Sequence, residues 1–385
     1  MKSTMLELNE EQQLIRETVR EFALKEVEPM ARQIDINSEF PTETVKKMAD
    51  LNLMGIPFPQ EYGGAGADEL SYIIAVEELA RVCGSTAITL AAHTSLGSFP
   101  IYAFGTNEQK KKYLIPLASG EYVGGMGLTE SEAGSDSGAT RTTARRAKGG
   151  YIINGTKSFI TNASVGKSFV VIAKTDLNES LSHGLSTFII ERGFKGFTNG
   201  KKEDKLGLRG SDTGELIFED CFVPEESLLG EEGSGFKYIM KTLDGGRISI
   251  GALALGIAQG ALDKCLTYVK ERQQFGKPIG SFQAIQMMIS DMATEIEAAR
   301  HLVYNAAHLL EAGKPFSKES AMAKLFASET AMRAAKNAIQ IFGGYGYMEE
   351  YQVERYYRDA KLCEIGEGTS EIQRIVIARQ LIGKL

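Results

Sequence analysis

Residues 149–163 read GGYIINGTKSFITNA, and the architecture turns on whether this is β-structure inside an otherwise helical chain. Tyr151, Ile152 and Ile153 form one β-prone run and Phe159, Ile160 and Thr161 another. Between them stands Asn154-Gly155, the dipeptide of a tight two-residue turn, so the pattern predicts a hairpin. Downstream, SFVVIAKTD (168–176), LSTFIIERG (185–193) and GELIFEDCFV (214–223) are short runs rich in Val, Ile and Phe, separated by Gly, Asn, Asp and Ser. Strands spaced by turns, with no helical segment between them, imply an antiparallel barrel or sandwich over residues 122–232.

On either side the periodicity is helical. Near the N-terminus Leu14, Ile15, Val19, Phe22, Ala23 and Val27 fall on one helical face. Asn9 followed by Gln12 predicts a capping box at the start of that helix. Beyond Phe236, IGALALGIAQGALDKCLTYVKERQQF (250–275) is rich in Ala and Gly, which permit close helix packing. Further helices are expected over about residues 282–312, 317–342 and 371–383, the last capped by Ser370 with Gln373. The expected fold class is α+β multidomain. It has an α-helical domain (1–121), a central antiparallel β-barrel or sandwich (122–232) and a C-terminal helical bundle (233–385).

Composition excludes several classes. The 385 residues carry a net charge of -7, which gives no basis for nucleic-acid or anionic-membrane binding. No run approaches the 18 or so uninterrupted apolar residues of a membrane span. The first residues show neither a secretory core nor an Arg-rich transit pattern, so a cytoplasmic location is expected. Cys83, Cys221, Cys265 and Cys363 are widely spaced, indicating neither a disulfide framework nor a zinc site. His301 and His308 share a helical face, but two histidines fall short of the three or four protein ligands of a zinc centre. No metal is expected. Dinucleotide-binding, P-loop, zincin and serine-hydrolase motifs are all missing.

The segments with chemical potential are rich in Gly, Ser and Thr. GLTESEAGSDSG (127–138) offers hydroxyl and amide donors for a phosphate or a heteroaromatic edge. KSFITN (157–162) sets Phe159 and Thr161 two apart, expected on one side of a strand, where they could flank and hydrogen-bond a flat ring. Glu367 stands between Gly366 and Gly368, just ahead of the last helix. Loop carboxylates are ordinarily just solvated. Flanking glycines, however, suit a ligand pressed against the main chain.

Taken in order, GLTESEAGSD, KSFITN, LDGGR (243–247), YVKERQQFGKPIGSFQAIQ (268–286), IQIFGGYGY (339–347), YYRDAKL (356–362) and GEGTSEIQRIVIAR (366–379) closely resemble the acyl-CoA dehydrogenase family of flavoproteins. The resemblance runs from the first helix to the last. It implies a four-helix bundle as the C-terminal domain, a homotetramer, one FAD per subunit, and electron transfer to an electron-transferring flavoprotein. It assigns Met126, Leu128, Thr129, Gly134 and Ser135 to the flavin lining, Phe159 to the aromatic position beside the ring, and Thr161 to its polar edge. Relatives often carry Trp where this chain has Phe159. Arg272, Gln274 and Phe275 would reach the FAD of a neighbouring subunit, with Gln340, Gly343 and Gly344 completing that site. Thr369 and Glu371 also fall among the cofactor positions. Asp244 and Arg247 would contact the CoA portion, with Ser135 and Gly368 nearby.

The same resemblance makes Glu367 the catalytic base, removing the α-proton of an acyl-CoA while its amide helps to hold the thioester carbonyl. Some branched-chain relatives carry the base at the position of Gly246 instead, which leaves Glu367 as the candidate here. Together these points imply a short-chain acyl-CoA dehydrogenase, with butyryl-CoA as the preferred substrate. Gly366 stands where many relatives have Tyr, so a 2-methyl-branched or alicyclic acyl group is an alternative. A non-catalytic flavoprotein scaffold is another, although a scaffold has no need of the base. An oxidase is disfavoured by chain length, and a dicarboxylic substrate by the lack of an arginine in STAITLAAHTS (85–95). Two effects oppose each other at Glu367. The following helix N-terminus favours the anion by about 0.3–1 kcal/mol. Burial favours the neutral acid by up to about 3–5 pH units, and desolvation is expected to win once substrate is bound.

Overall fold

The computed structural model describes residues 7–179 and 183–383. Helix α1 (Glu10–Phe22) begins with the expected capping box, Asn9 and Gln12 exchanging hydrogen bonds of 2.8 and 3.0 Å. One π-helical turn (Ala23–Val27) joins it to α2 (Glu28–Asn37). There follow α3 (Thr42–Asp50), α4 (Glu69–Ala80) and α5 (Gly84–Ala92), a π-helical segment (His93–Ser98), and the short α6 (Phe99–Phe104), α7 (Asn107–Gln109) and α8 (Ile115–Ala118). Helix α4 is buried from Leu70 to Ala80 and α5 throughout. Their apolar residues need cover on every side, and that dictates a central place.

The middle region holds β1 (Gly124–Gly127), β2 (Thr143–Ala147), β3 (Gly150–Thr161), β4 (Ser168–Lys174), β5 (Leu185–Glu191), β6 (Phe197–Lys202), β7 (Thr213–Pro224) and β8 (Leu228–Leu229). They make one sheet in the order β6-β7-β3-β2-β4-β5-β8, with β1 beside β4. The sheet is antiparallel except where β1 and β2 meet β4. One face carries its own core, including Tyr151, Ile153, Phe169, Phe188 and Phe218. The other presents Val170, Ile172 and Ile189 to the helices.

Asn154-Gly155 is not the hairpin turn. Strand β3 runs straight through it, and the chain reverses at Lys148-Gly149, between the paired residues Ala147 and Gly150. The long pairing of β3 with β7 outweighs the local turn preference. The dipeptide is absorbed as a register shift between Ile153 and Gly155. Gly155 is needed there: its φ is +146°, and a Cβ would stand 2.5 Å from Thr142 Oγ1.

The C-terminal region begins with α9 (Gly235–Glu271), followed by a hairpin of β9 (Gln273–Gln274) and β10 (Lys277–Pro278). Then come α10 (Gln283–Glu311), α11 (Ser317–Phe342), α12 (Val353–Cys363) and α13 (Ser370–Ile382). Among the described residues α9 alone has the length and apolarity to cross a membrane, and 83% of its apolar window is buried inside the fold. It is the core helix. Residues of α1, α4 and α5 share one hydrophobic core with α9, α10, α11 and α12, so the two helical regions fold together around it.

Candidate active site

The fold brings five of the expected flavin positions, Met126, Leu128, Thr129, Phe159 and Thr161, into one wall. Met126 lies on β1, and Leu128 and Thr129 continue from that strand. Ser158 N–H donates to Thr129 O at 2.8 Å, and Lys157 Nζ donates to Leu128 O at 3.0 Å. Asn162 Nδ2 reaches Gly124 O at 2.9 Å, fixing the end of β3 against β1. Phe159 and Thr161 therefore stand beside Met126, Leu128 and Thr129. They do not share a face by simple alternation. Phe159 is a bulge between the pairs Lys157–Leu216 and Ile160–Gly214, with φ +60° and 63% of its surface exposed. Bulky residues rarely adopt that conformation. Gly134 and Ser135 are exposed on the loop that follows.

Behind this wall lies an ion pair that inspection of the sequence missed. Lys157, fully buried, places Nζ 2.7 Å from Glu130 Oε1. The Glu130 carboxylate also accepts from Arg141 N (2.7 Å), Thr142 N (3.0 Å) and Thr142 Oγ1 (2.6 Å). These donors, with Lys157 first among them, hold the carboxyl below its usual range despite burial. The pair pins both ends of the 128–130 segment. Its signal in the sequence is weak, because Glu130 lies in a polar loop and Lys157 in a strand of mixed character.

Glu367 sits in the turn between α12 and α13, with φ +53°. Gly368 follows at φ +95°, and a Cβ there would fall 2.8 Å from Gln373 Nε2. Two consecutive left-handed residues throw the Glu367 side chain back onto α9. Its Oε2 is sealed from solvent and without a hydrogen-bond partner. It lies over Gly246, where an added Cβ would be 2.0 Å away. That Cβ would also touch Leu96 at 3.4 Å. Leu96 belongs to the π-helical segment whose Gly97 abuts the Gly124–Gly125 backbone of β1. The wall formed by β1 and β3 and the Glu367 carboxylate are thus joined through one short segment.

Burial raises the Glu367 carboxyl to about 7, against the opposing charges of Lys324 and Arg247. The protein alone already supplies the desolvation that was expected of a bound substrate. The Glu367 amide donates to no acceptor among the described residues. A carboxylate near neutrality and a free amide beside it can, respectively, take a proton and receive a developing oxyanion.

Arg247, 6% exposed, donates to Asp244 Oδ1 at 2.6 Å, and Ser317 Oγ reaches the same oxygen at 3.0 Å. Asp244 and Arg247 flank Gly246 on α9, while Ser317 begins α11. Ser370 is not the cap of α13. Thr369 is the N-cap and accepts from Ile372 N at 3.3 Å, while Gln373 turns inward to Glu367 O (3.3 Å) and Gly368 O (2.8 Å). Glu371 is exposed in the first turn, its carboxyl lowered by a backbone amide and the Thr369 hydroxyl.

The positions expected to serve a neighbouring subunit form a second set. Arg272 lies 5.1 Å from the Tyr345 ring, which brings the hairpin after α9 to the turn after α11. Gln274, Gln340, Gly343 and Gly344 are exposed there, and Phe275 is 92% exposed with φ +52°. Its one ring contact among the described residues is edge-on to Phe282, with centroids 5.9 Å apart. His93, fully buried, accepts from Gly124 N at Nδ1 and meets Leu117 O through Nε2, each at 3.1 Å. Burial lowers it to about 4, so it is a neutral structural tie.

A flat, hydrogen-bonding cofactor suits this arrangement: an exposed aromatic on a bulge beside a hydroxyl, with an unpartnered carboxylate and a free amide nearby. Comparison with known proteins agrees. Residues 9–121, 125–221 and 233–382 match the models for the N-terminal, middle and C-terminal domains of acyl-CoA dehydrogenase. The chain is 55% identical over 374 residues to the short-chain specific acyl-CoA dehydrogenase of Clostridium acetobutylicum, covering 97% of this chain and 98% of that one. The butyryl-CoA dehydrogenase structure from Megasphaera elsdenii superposes with a TM-score of 0.96 at 46% identity, covering 98% and 99%. A chain from work on the electron transferring flavoprotein of Acidaminococcus fermentans and flavin-based electron bifurcation gives 0.97 at 52% identity, covering 98% and 100%.

Proposed function

Because the chain belongs to the acyl-CoA dehydrogenase family of flavoprotein oxidoreductases, we propose that it removes hydrogen from the α and β carbons of a short-chain acyl-CoA, preferentially butyryl-CoA, to give the trans-2-enoyl-CoA. FAD, held by Met126, Leu128, Thr129, Gly134, Ser135, Phe159 and Thr161, supplies the hydride acceptor when bound. Glu367 takes the α-proton. A thioester α-proton is only weakly acidic, so the base needs help, and the free Glu367 amide offers the carbonyl oxygen a donor as charge develops. Asp244 and Arg247 hold the CoA portion near Gly368. The observation that carries this reading is the solvent-sealed, unpartnered Oε2 of Glu367 over Gly246.

Electrons then pass to an electron transferring flavoprotein, a reading supported by the similarity to the Acidaminococcus fermentans chain. The exposed set around Phe275 supports a homotetramer in which each subunit completes its neighbour's FAD site. An α-branched or alicyclic acyl group remains a second reading for one reason. The atoms nearest to a Cβ at Gly366 belong to Leu362, at 3.5 Å or more, so the turn beside the base is uncrowded.

Anaerobic addition of butyryl-CoA tests the proposal. The FAD-loaded protein is expected to bleach, whereas Glu367→Gln is expected to keep its flavin and bind acyl-CoA without bleaching. Bleaching of that variant at the unmodified rate refutes the assignment. Isobutyryl and cyclohexanecarboxyl thioesters, compared with straight chains, separate the two substrate readings.

A further inference from the structure

Lys324 lies on α11 within a stripe of small buried residues that includes Ala321, Ala323, Ala327, Ser328 and Ala331. It is fully buried. Its ammonium donates to Gly368 O at 2.6 Å, the carbonyl that Gln373 Nε2 also grips. Ser328, one turn along, donates to Cys363 O at 2.8 Å, so α11 holds the turn at both ends. As a device for stability this lysine is a poor choice. A buried ammonium with a single carbonyl partner forfeits more hydration than it recovers, and methionine would fill the space without that penalty. The position needs another reason for a charge.

We propose that Lys324 is a positioning residue for Glu367. With Gln373 it clamps the Gly368 carbonyl, so that the left-handed turn aims the carboxylate over Gly246, and it keeps a positive charge behind that carboxylate. The proposal rests on reading Glu367 as the base. The groups facing Lys324 are Glu367 and Glu364, which favour its charge, Arg247, which opposes it, and the Cys363 thiol, which burial pushes up to about 12 and so keeps neutral; burial dominates and lowers the amine to about 8. Around Glu367 the facing charges are Lys324 and Arg247, both favouring the anion. The buried phenol of Tyr72 also faces it, and Glu367 helps to keep that phenol protonated. Of the two cations Lys324 acts more strongly on Glu367, and it alone also fixes the backbone.

The test uses the FAD-loaded protein with Lys324→Met, Lys324→Arg, Gln373→Leu and Glu367→Gln. Two quantities are read against pH. One is the rate of anaerobic flavin bleaching by butyryl-CoA. The other is the infrared band of the protonated Glu367 carboxyl, assigned by its loss in Glu367→Gln. Lys324→Met is expected to keep flavin and butyryl-CoA affinity, to slow bleaching at neutral pH by at least tenfold, and to move both midpoints upward by about one pH unit. Lys324→Arg is expected to keep the midpoints while losing part of the rate, because its fork cannot reproduce the single bond. Unshifted midpoints in a folded Lys324→Met overturn the proposal, whether the rate is normal or falls only with flavin content. If Lys324→Met does not fold, Gln373→Leu decides. It should slow bleaching without moving either midpoint, and a normal rate overturns the clamp. If Glu367→Gln bleaches normally, the reading of the base fails separately, and the infrared midpoints still report whether Lys324 governs the carboxylate.

Discussion

Replacing Gly246 by alanine sets helix stability against the chemistry. Gly246 is an interior residue of α9, where Ala is favoured over Gly by about 1 kcal/mol, so helix propensity alone makes the variant more stable. The new methyl, however, falls 2.0 Å from Glu367 Oε2, against about 3.5 Å for an ordinary non-bonded contact. The carboxylate must retreat by roughly 1.5 Å. It is the free end of a side chain, so it can move without distorting α9, and the fold survives. A displacement of about 1 Å at a reacting group costs on the order of 100-fold in rate, or about 2.7 kcal/mol of activation free energy. Gly246→Ala is thus expected to melt no lower than the parent and to hold its flavin. Under anaerobic conditions butyryl-CoA should bleach it about two orders of magnitude more slowly. A folded, yellow Gly246→Ala that bleaches at the parent rate refutes the placement of the base.

Two further outcomes follow from the supporting structure. Lys157→Met leaves the buried Glu130 carboxylate without its cation, and breaking a buried pair costs about 3–5 kcal/mol. The urea midpoint followed on the sheet should fall and flavin should be lost, whereas Glu130→Gln added to Lys157→Met should recover part of both. Phe275→Ala removes an aromatic that is 92% exposed in the single subunit. It is expected to release flavin on dilution at higher protein concentrations than the parent, as followed by ultrafiltration; an unchanged release curve counts against the shared site.

The helices were legible because their cores are periodic. Residues 317–342 were expected as one helix and are found as Ser317–Phe342, and 282–312 closely matches Gln283–Glu311. Local signals failed where a distant partner outranked them. Asn154-Gly155 carries the strongest short-range turn preference in the central region, yet its neighbours find a longer match in β7. Ser370 and Gln373 fit a capping box in spacing. Gln373 turns instead to the carbonyls of Glu367 and Gly368, leaving Thr369 to cap the helix. The family resemblance names candidates such as Glu367 directly, whereas a residue that acts through another leaves no motif. Lys324 lies 43 residues before Glu367 in the chain, and only the packing of α11 against the turn brings them together. A lysine within an alanine stripe was the available sign: a charge on a face that otherwise demands burial.

Three non-glycine residues with left-handed backbone, Phe159, Phe275 and Glu367, fall at positions assigned to cofactor or catalysis. Each such residue costs about 1–3 kcal/mol and persists only where its surroundings over-determine it. The surroundings differ in an informative way. Glu367 is held from within the chain by Gly368, Gln373 and Lys324, so its strain is sustained in a single subunit. Phe159 is held by the bulge in β3, yet 63% of its surface is exposed. Phe275 meets Phe282 edge-on at 5.9 Å and is otherwise bare. On the proposed reading Glu367 is held by the chain itself, whereas the two aromatics find their partners in the cofactor or in a second subunit. On that reading, binding energy from cofactor and neighbour goes into ordering the regions around Phe159 and Phe275, while the turn that aims Glu367 is already fixed.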